Sequence, residues 1–289
     1  LSQGEIRGVR EGFLDQAFGA EKPSLERETL PRAELTEMVL RGGYPEQITG
    51  DWPPAQRTDW FRDYVTTLLQ RDVREFGHME SLTQFPNLLR LLASRTANLM
   101  NAAEVSRASG LPYTTLNRYL AILEGLFLFQ PLEAWTGNAT KRLTRARKIH
   151  IVDSGLAAQV SRITTSGLES DFGPFGALLE SFVVGELRKQ ASWLDEPVTL
   201  GHWRTSDGTE VDLVAEFDDG QVLAFEVKAN QRATGTDISG LQQLREALGP
   251  RFRAGIVLTT GQRTYTHSDR IHIMPIDRLW QTNDPDPDT

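Results

Sequence analysis

The sequence predicts an α/β (α+β) protein in which a helical, winged-helix region precedes an α/β domain with a central mixed sheet. Two observations support this fold class. Apolar residues recur at helical spacing through the first half, whereas strand and helix patterns alternate in the last third. A length of 289 residues is typical of about two domains.

The first half reads as a series of amphipathic helices. A helix is predicted from Pro31 to about Arg41, since proline suits a first helical position and Gly42-Gly43 follows the last one. From Trp60 to Phe76, apolar residues are spaced three or four apart, which predicts one long helix. Another helix is predicted over 85–97.

The predicted helix–Gly–helix at 101–125, followed by a β-hairpin, is the pattern of a winged helix. Asn101 is a good N-cap for a short helix that Gly110 ends. A second helix is predicted over 112–124, and two strands, "LFLFQPLEAW" and "KIHIVD", follow on either side of a basic loop. Asp153, at the end of the second strand, is interpreted as the N-cap of another helix.

The last third is predicted to form the mixed sheet. The helix "FGALLESFVVGELRKQ" precedes three strands that are joined by tight turns at Asp207-Gly208 and Asp219-Gly220. A helix, the apolar strand "FRAGIVLTT" and the candidate strand "RIHIMPID" follow. The acidic, proline-rich tail at 281–289 is predicted to be disordered.

Composition and charge limit the classes of function. The chain has no cysteine, which excludes disulfides and thiolate metal sites, and it shows no membrane-length apolar run and no leader, so a cytoplasmic location is expected. The net charge is −8, yet residues 87–150 carry +6 and the remainder −14. A polyanion would therefore bind the middle of the chain.

The basic middle contains the candidate DNA-binding residues. The polar side chains of the second winged-helix helix could reach bases or phosphates, and the cations of the loop suit phosphate contacts. These residues are Tyr113, Thr114, Thr115, Asn117, Arg118, Lys141, Arg142, Arg145, Arg147 and Lys148. Winged helices also serve as protein-docking modules, and that alternative stays open.

A set of carboxylates and one lysine is the candidate catalytic site. Glu226 and Lys228 lie two apart on one predicted strand and so project from the same face, and Asp212 lies on the neighbouring strand. Oxygen ligands of this kind could hold Mg²⁺ or Mn²⁺, with Glu180 as a further acid and Lys228 offsetting charge on the phosphate. The alternative is a set of ordinary surface salt bridges.

Several ordered motifs resemble one prokaryotic protein family. They are "RGGYPE" (41–46), "WFRDYVTTLLQRDV" (60–73), "TTLNRYLAILEGLFL" (114–128), "KIHIVDSGLA" (148–157), "GALLESFVVGEL" (176–187), "WRTSDGTEVDLV" (203–214) and "EVKA" (226–229). Together they resemble the C-terminal half of an AAA-type P-loop ATPase family, in which the ATPase domain precedes a winged helix and a PD-(D/E)XK nuclease-like fold.

The resemblance implies a domain order and a site. Residues 1–30 would be the end of an ATPase domain, 31–160 the winged-helix domain and 161–280 the nuclease-like domain. The nuclease signature maps onto Glu180, Asp212, Glu226 and Lys228, the three acids being the metal ligands.

The resemblance also implies partners and a cofactor. It implies association with DNA, and ATP binding only in the intact family protein, since no Gly-x₄-Gly-Lys-Ser/Thr loop occurs here. The alternative is a non-catalytic module that binds DNA or a protein, or that regulates or self-associates within an ATP-binding protein.

Overall fold

The computed structural model describes residues 1–16, 29–50, 52–71, 84–136 and 146–281. It has a mixed α/β fold with a six-stranded mixed sheet, which confirms the predicted fold class. The α-helices within these ranges are α1 (Gln3–Arg7), α2 (Phe13–Gln16), α3 (Arg32–Arg41), α4 (Pro45–Thr49), α5 (Pro54–Arg71), α6 (Gln84–Ala93), α7 (Ala102–Ser109), α8 (Tyr113–Gly125), α9 (Ser154–Val160), α10 (Thr165–Ser170), α11 (Gly173–Ser192) and α12 (Gly235–Leu248).

The chain divides into two compact units. The sheet unit comprises Leu1–Thr36, Glu133–Thr144 and Val183–Thr289, and the helical unit comprises Glu37–Leu132 and Arg145–Phe182. Each unit therefore draws on separate stretches of sequence, whereas the domains expected from the sequence were contiguous. The predicted tail, from residue 282 onward, lies outside the described residues.

The sheet unit is built on strands in the order β1-β2-β3-β4-β6-β5. Strands β1, β2 and β3 pair antiparallel, β3, β4 and β6 pair parallel, and β5 pairs antiparallel with β6. Their bounds are β1 (Val198–Arg204), β2 (Glu210–Phe217), β3 (Val222–Lys228), β4 (Phe252–Thr259), β5 (Tyr265–Ser268) and β6 (Ile271–Pro275).

One helix covers a face of this sheet and buries its apolar side. Ile238, Leu241 and Leu244 of α12 join a core cluster with Val214 and Ala224 of the strands. Since β3 is buried along almost its whole length, Glu226 and Lys228 on this strand lie in a largely apolar setting. The expected strand "RIHIMPID" is confirmed as β6, whereas β5 was not predicted.

The helical unit contains the predicted helix–Gly–helix pattern. Asn101 accepts a hydrogen bond from the Glu104 amide at 3.1 Å, and Gly110 ends α7 in a left-handed conformation, so both boundaries are confirmed. The two strands expected after α8 appear only as short antiparallel bridges, which join Phe129 to Ile151 and Leu132 to Lys148. Residues 137–145 of the predicted basic loop lie outside the described residues.

A close backbone junction joins two of the sequence motifs within the helical unit. Asp153 caps α9 by accepting the Leu156 amide at 2.9 Å, as predicted, and it also accepts the Gly43 amide at 2.7 Å. Gly42 has a φ of +75°, and a Cβ there would lie 2.2 Å from the Asp153 carboxylate. Both the positive φ and the lack of space for a Cβ therefore require glycine at position 42.

Within the described ranges, no helix combines the length and apolarity required to cross a membrane.

Asp153→Ala removes an N-cap and leaves the Gly43 amide without its acceptor. We expect the free energy of unfolding to fall by about 2 kcal/mol, the sum of a typical cap and an unsatisfied amide. Urea denaturation measures this change. Asp63→Ala on exposed α5 is the control and should change it by under about 0.5 kcal/mol. Equal stability of Asp153→Ala and wild type would contradict the assignment.

Candidate functional site

Two neighbouring strands place the predicted acids next to each other. Leu213 of β2 pairs with Phe225 of β3, and continuing this antiparallel register by one residue brings Asp212 opposite Glu226. Residues directly opposite each other in such a pair project from the same face. The Val227 amide donates a hydrogen bond to Asp212 Oδ2 at 3.0 Å, which fixes the carboxylate against β3.

Lys228 supplies the positive charge of this cluster. Its Nζ lies 2.7 Å from Glu226 Oε1 and 3.9 Å from Asp237 Oδ1. Asp212 and Glu226 are only 5% and 7% exposed, whereas the Lys228 side chain is 28% exposed. The two acids are thus nearly removed from water while the ammonium keeps access to solvent.

The charges around Lys228 determine its protonation. Burial favours the neutral amine, but Glu226, Asp212 and Asp237 outweigh burial and raise the pKa of Lys228 above its ordinary value. The ammonium is therefore fully charged near neutral pH. Asp212, Glu226, Lys228 and Asp237 therefore form one charged cluster.

Sequence reasoning missed Asp237. It lies in the first turn of α12 and accepts the Thr234 amide at 2.7 Å, which completes a capping box at the start of that helix. The spacing Thr234-x-x-Asp237 is a recognisable capping signal, but only the packing of α12 on β3 reveals that its carboxylate approaches Lys228.

The chemistry of the donor set suits a hard divalent cation, although the described residues do not form a complete cage. Among them, no group of three or more His, Asp or Glu side chains is arranged as metal ligands. Asp212 and Glu226 together offer carboxylate oxygens, which Mg²⁺ and Mn²⁺ prefer. Since each carboxylate has about four lone-pair sites, their present hydrogen bonds do not by themselves prevent coordination.

The remaining predicted ligand, Glu180, belongs to the helical unit and is held by an ion pair there. Lys148 Nζ lies 2.8 Å from Glu180 Oε1, and the side chains are 2% and 14% exposed. The ammonium of Lys148 is buried against Glu180, and the expectation that Lys148 contacts phosphate stays a prediction. The role of Glu180 as a metal ligand stays a prediction.

The outer face of α8 is polar and exposed, as the DNA-binding prediction requires. Leu116, Tyr119, Leu120 and Leu123 are buried, which confirms the predicted core stripe. Tyr113, Thr114, Asn117 and Arg118 are exposed and Thr115 is half-buried. Among the other candidate cations, Arg147 Nη1 lies 3.2 Å from Glu124 Oε1. The remaining cations, Lys141, Arg142 and Arg145, lie outside the described residues.

The Lys148–Glu180 pair predicts a specific pattern in a double-mutant cycle. Lys148→Met should lower the free energy of unfolding by about 3 kcal/mol, because it leaves a mostly buried carboxylate uncompensated. Adding Glu180→Leu should restore most of the loss, as measured by urea denaturation. The more exposed Arg204–Glu210 pair gives the control, and Arg204→Met should cost under about 1 kcal/mol. A double variant no more stable than Lys148→Met would show that the two side chains are not coupled.

Two family models match consecutive parts of the chain. Residues 32–167 match a domain of unknown function (DUF8612), and residues 175–279 match a second domain of unknown function (DUF4143), which is found in AAA-ATPase-associated proteins.

Proteins of two mycobacteria are similar over most of the chain. Uncharacterized proteins of Mycobacterium tuberculosis and Mycobacterium bovis are each 29% identical over 248 residues, which is 86% of this chain and 54% of theirs. The chain thus spans about half the length of these relatives. A crystal structure of a Vibrio cholerae protein is 15% identical, covers 68% of this chain and 54% of that one, and has a TM-score of 0.25. That similarity is too low to inform the fold.

Proposed function

We propose that this chain is a DNA-associated protein in which Asp212, Glu226 and Lys228 serve metal-dependent hydrolysis of a phosphodiester. One observation carries the proposal: two nearly buried carboxylates face each other across β2 and β3, with an ammonium on the same face. Burying two acids side by side is unfavourable, and such arrangements concentrate at functional sites.

In this proposal Asp212 and Glu226 hold the cation, which is Mg²⁺ or Mn²⁺. When bound, such a cation polarises a phosphodiester and lowers the pKa of a coordinated water. The Asp212 carboxylate is already oriented by the Val227 amide, so it needs little reorganisation.

Lys228 has two roles in the proposed site. Without a cation, its ammonium offsets the charge of Glu226 at 2.7 Å. With substrate present, its partial exposure lets the same ammonium approach a phosphate, where it stabilises developing negative charge. The raised pKa of Lys228 keeps it cationic in both situations.

The DNA would contact α8. On the exposed face of α8, Arg118 would bind a DNA phosphate, and Thr114 and Asn117 would form further hydrogen bonds with the DNA. We place the chain beside an ATPase domain because DUF4143 occurs in AAA-ATPase-associated proteins and the matched stretch covers only 54% of the relatives. ATP binding would belong to that other part.

A second candidate function is a non-catalytic module that binds DNA or a protein partner. The ion pair between Lys148 and Glu180 favours it, because Glu180 is engaged structurally and, among the described residues, no third acid is arranged with Asp212 and Glu226 as a metal ligand. In this case the acid–lysine cluster would be a buried structural network.

Cleavage assays separate the two candidates. With Mg²⁺ or Mn²⁺ and single- or double-stranded DNA, we expect cleavage that Asp212→Asn, Glu226→Gln and Lys228→Met each reduce by about 100-fold or more, since each removes a charge the reaction needs. Asp218→Asn, an exposed acid at the end of β2, should retain activity. Lack of cleavage by the wild-type chain, or cleavage that persists in Asp212→Asn, would contradict catalysis.

DNA binding has its own test. Arg118→Ala should weaken binding to duplex DNA about fivefold and reduce the slope of log affinity against log salt by about 1, because one phosphate contact is lost. Fluorescence anisotropy at several salt concentrations measures both. Arg10→Ala, an exposed arginine of the sheet unit, is the matched control. Equal losses in the two variants would place the DNA elsewhere.

A further inference from the structure

A cavity of about 300 Å³ lies within the helical unit, apart from the acid–lysine cluster. It is lined by α5, α6 and the end of α9, and its apolar lining includes the buried side chains Phe61, Val65 and Leu89. Its volume is at the lower end of the range for small-molecule sites, which are mostly apolar with a few placed polar groups.

Three arginines line the same cavity and make it cationic. Arg62 is neutralised by Asp59 at 2.8 Å and Asp63 at 3.3 Å. Arg90 donates a hydrogen bond to the neutral side chain of Asn87, and within the described part of the chain neither Arg90 nor Arg162 has a carboxylate partner. Two guanidinium groups therefore remain available to an anion.

Arg162 occupies a backbone position that ordinarily favours glycine. Its φ is +59°, and it directly follows Ser161, the C-cap of α9. The Arg162 amide donates a hydrogen bond to the Gln159 carbonyl, and the Ile163 amide donates one to the Ala158 carbonyl. Glycine is the usual residue at such a helix end, and a larger residue with positive φ is strained. Strain at a residue whose side chain lines a cavity is a pointer to function.

The end of α9 does not repel an anion strongly. A helix C-terminus is electronegative through its free carbonyls. Here the carbonyls of Ala157, Ala158 and Gln159 accept hydrogen bonds from backbone amides at 2.8–3.1 Å. These hydrogen bonds offset much of the negative potential at the helix end.

We propose that this cavity binds a small molecule with a ring-sized apolar body and a single anionic group, either carboxylate or phosphate. The apolar floor takes the body, and Arg90 and Arg162 bind the anion, to which guanidinium groups form charge-assisted hydrogen bonds. This site is independent of the proposed phosphodiesterase site, since it shares no residue with it.

A series of probes with one apolar body isolates the anionic group. Calorimetric titration of the full chain with 1-naphthyl phosphate, 1-naphthoate and neutral 1-naphthol should give one site. At least one anionic probe should bind about tenfold more tightly than 1-naphthol, as expected for a charge-assisted hydrogen bond. The ratio of the affinities for 1-naphthyl phosphate and 1-naphthoate shows whether the cavity prefers a phosphate or a carboxylate.

Variants tie the binding to this cavity. Arg162→Gly should weaken the anionic probe about tenfold while leaving the thermal midpoint unchanged or higher, because it removes both cation and strain. Thr66→Trp, an exposed lining residue, should block all three probes by filling the cavity. Arg107→Gln on α7 is the control and should bind as wild type. Absence of saturable binding, equal affinity for 1-naphthol, or full binding by Arg162→Gly would each overturn the proposal.

Discussion

The charge balance between Lys228 and the carboxylates beside it is the constraint on which the candidate site depends. Asp212 and Glu226 are almost excluded from water, and two ionised acids so placed would repel each other and lose hydration. The ammonium of Lys228 makes this arrangement tolerable, and the nearby carboxylate of Asp237 helps to keep that ammonium protonated by raising the pKa of Lys228.

The fold produces this balance through ordinary sheet geometry. The tight turn after β2 sets the antiparallel register with β3, and the strand alternation then points Asp212, Glu226 and Lys228 to one face. Helix α12 covers that face and brings the capping residue Asp237 towards the lysine. The helical unit contains a second buried pair, Lys148 with Glu180. With Lys189, which pairs with the buried Glu186, three of the five lysines of the chain therefore neutralise mostly buried acids.

Local sequence signals predicted the elements well, because caps and strand alternation depend on neighbouring residues. Asn101 and Gly110 mark the ends of α7, and the spacing of Glu226 and Lys228 indicates a shared face. Contacts between distant residues were not accessible in this way. Asp153 contacts Gly43, which is 110 residues away in the sequence, and Lys148 contacts Glu180, which is 32 residues away. Only the folded chain reveals these two contacts. The short β5 carries no apolar pattern, since its residues are mostly exposed.

The most direct test of the proposed metal site is to locate a bound cation. Anomalous scattering from a crystal of the chain grown with Mn²⁺ would do this without depending on activity. A metal site at this cluster would give a peak at roughly 2.0–2.2 Å from carboxylate oxygens of both Asp212 and Glu226, a distance typical of small divalent cations. A crystal with no peak beside these acids, in which Lys228 still binds Glu226, would contradict a metal site and leave the cluster as a structural network.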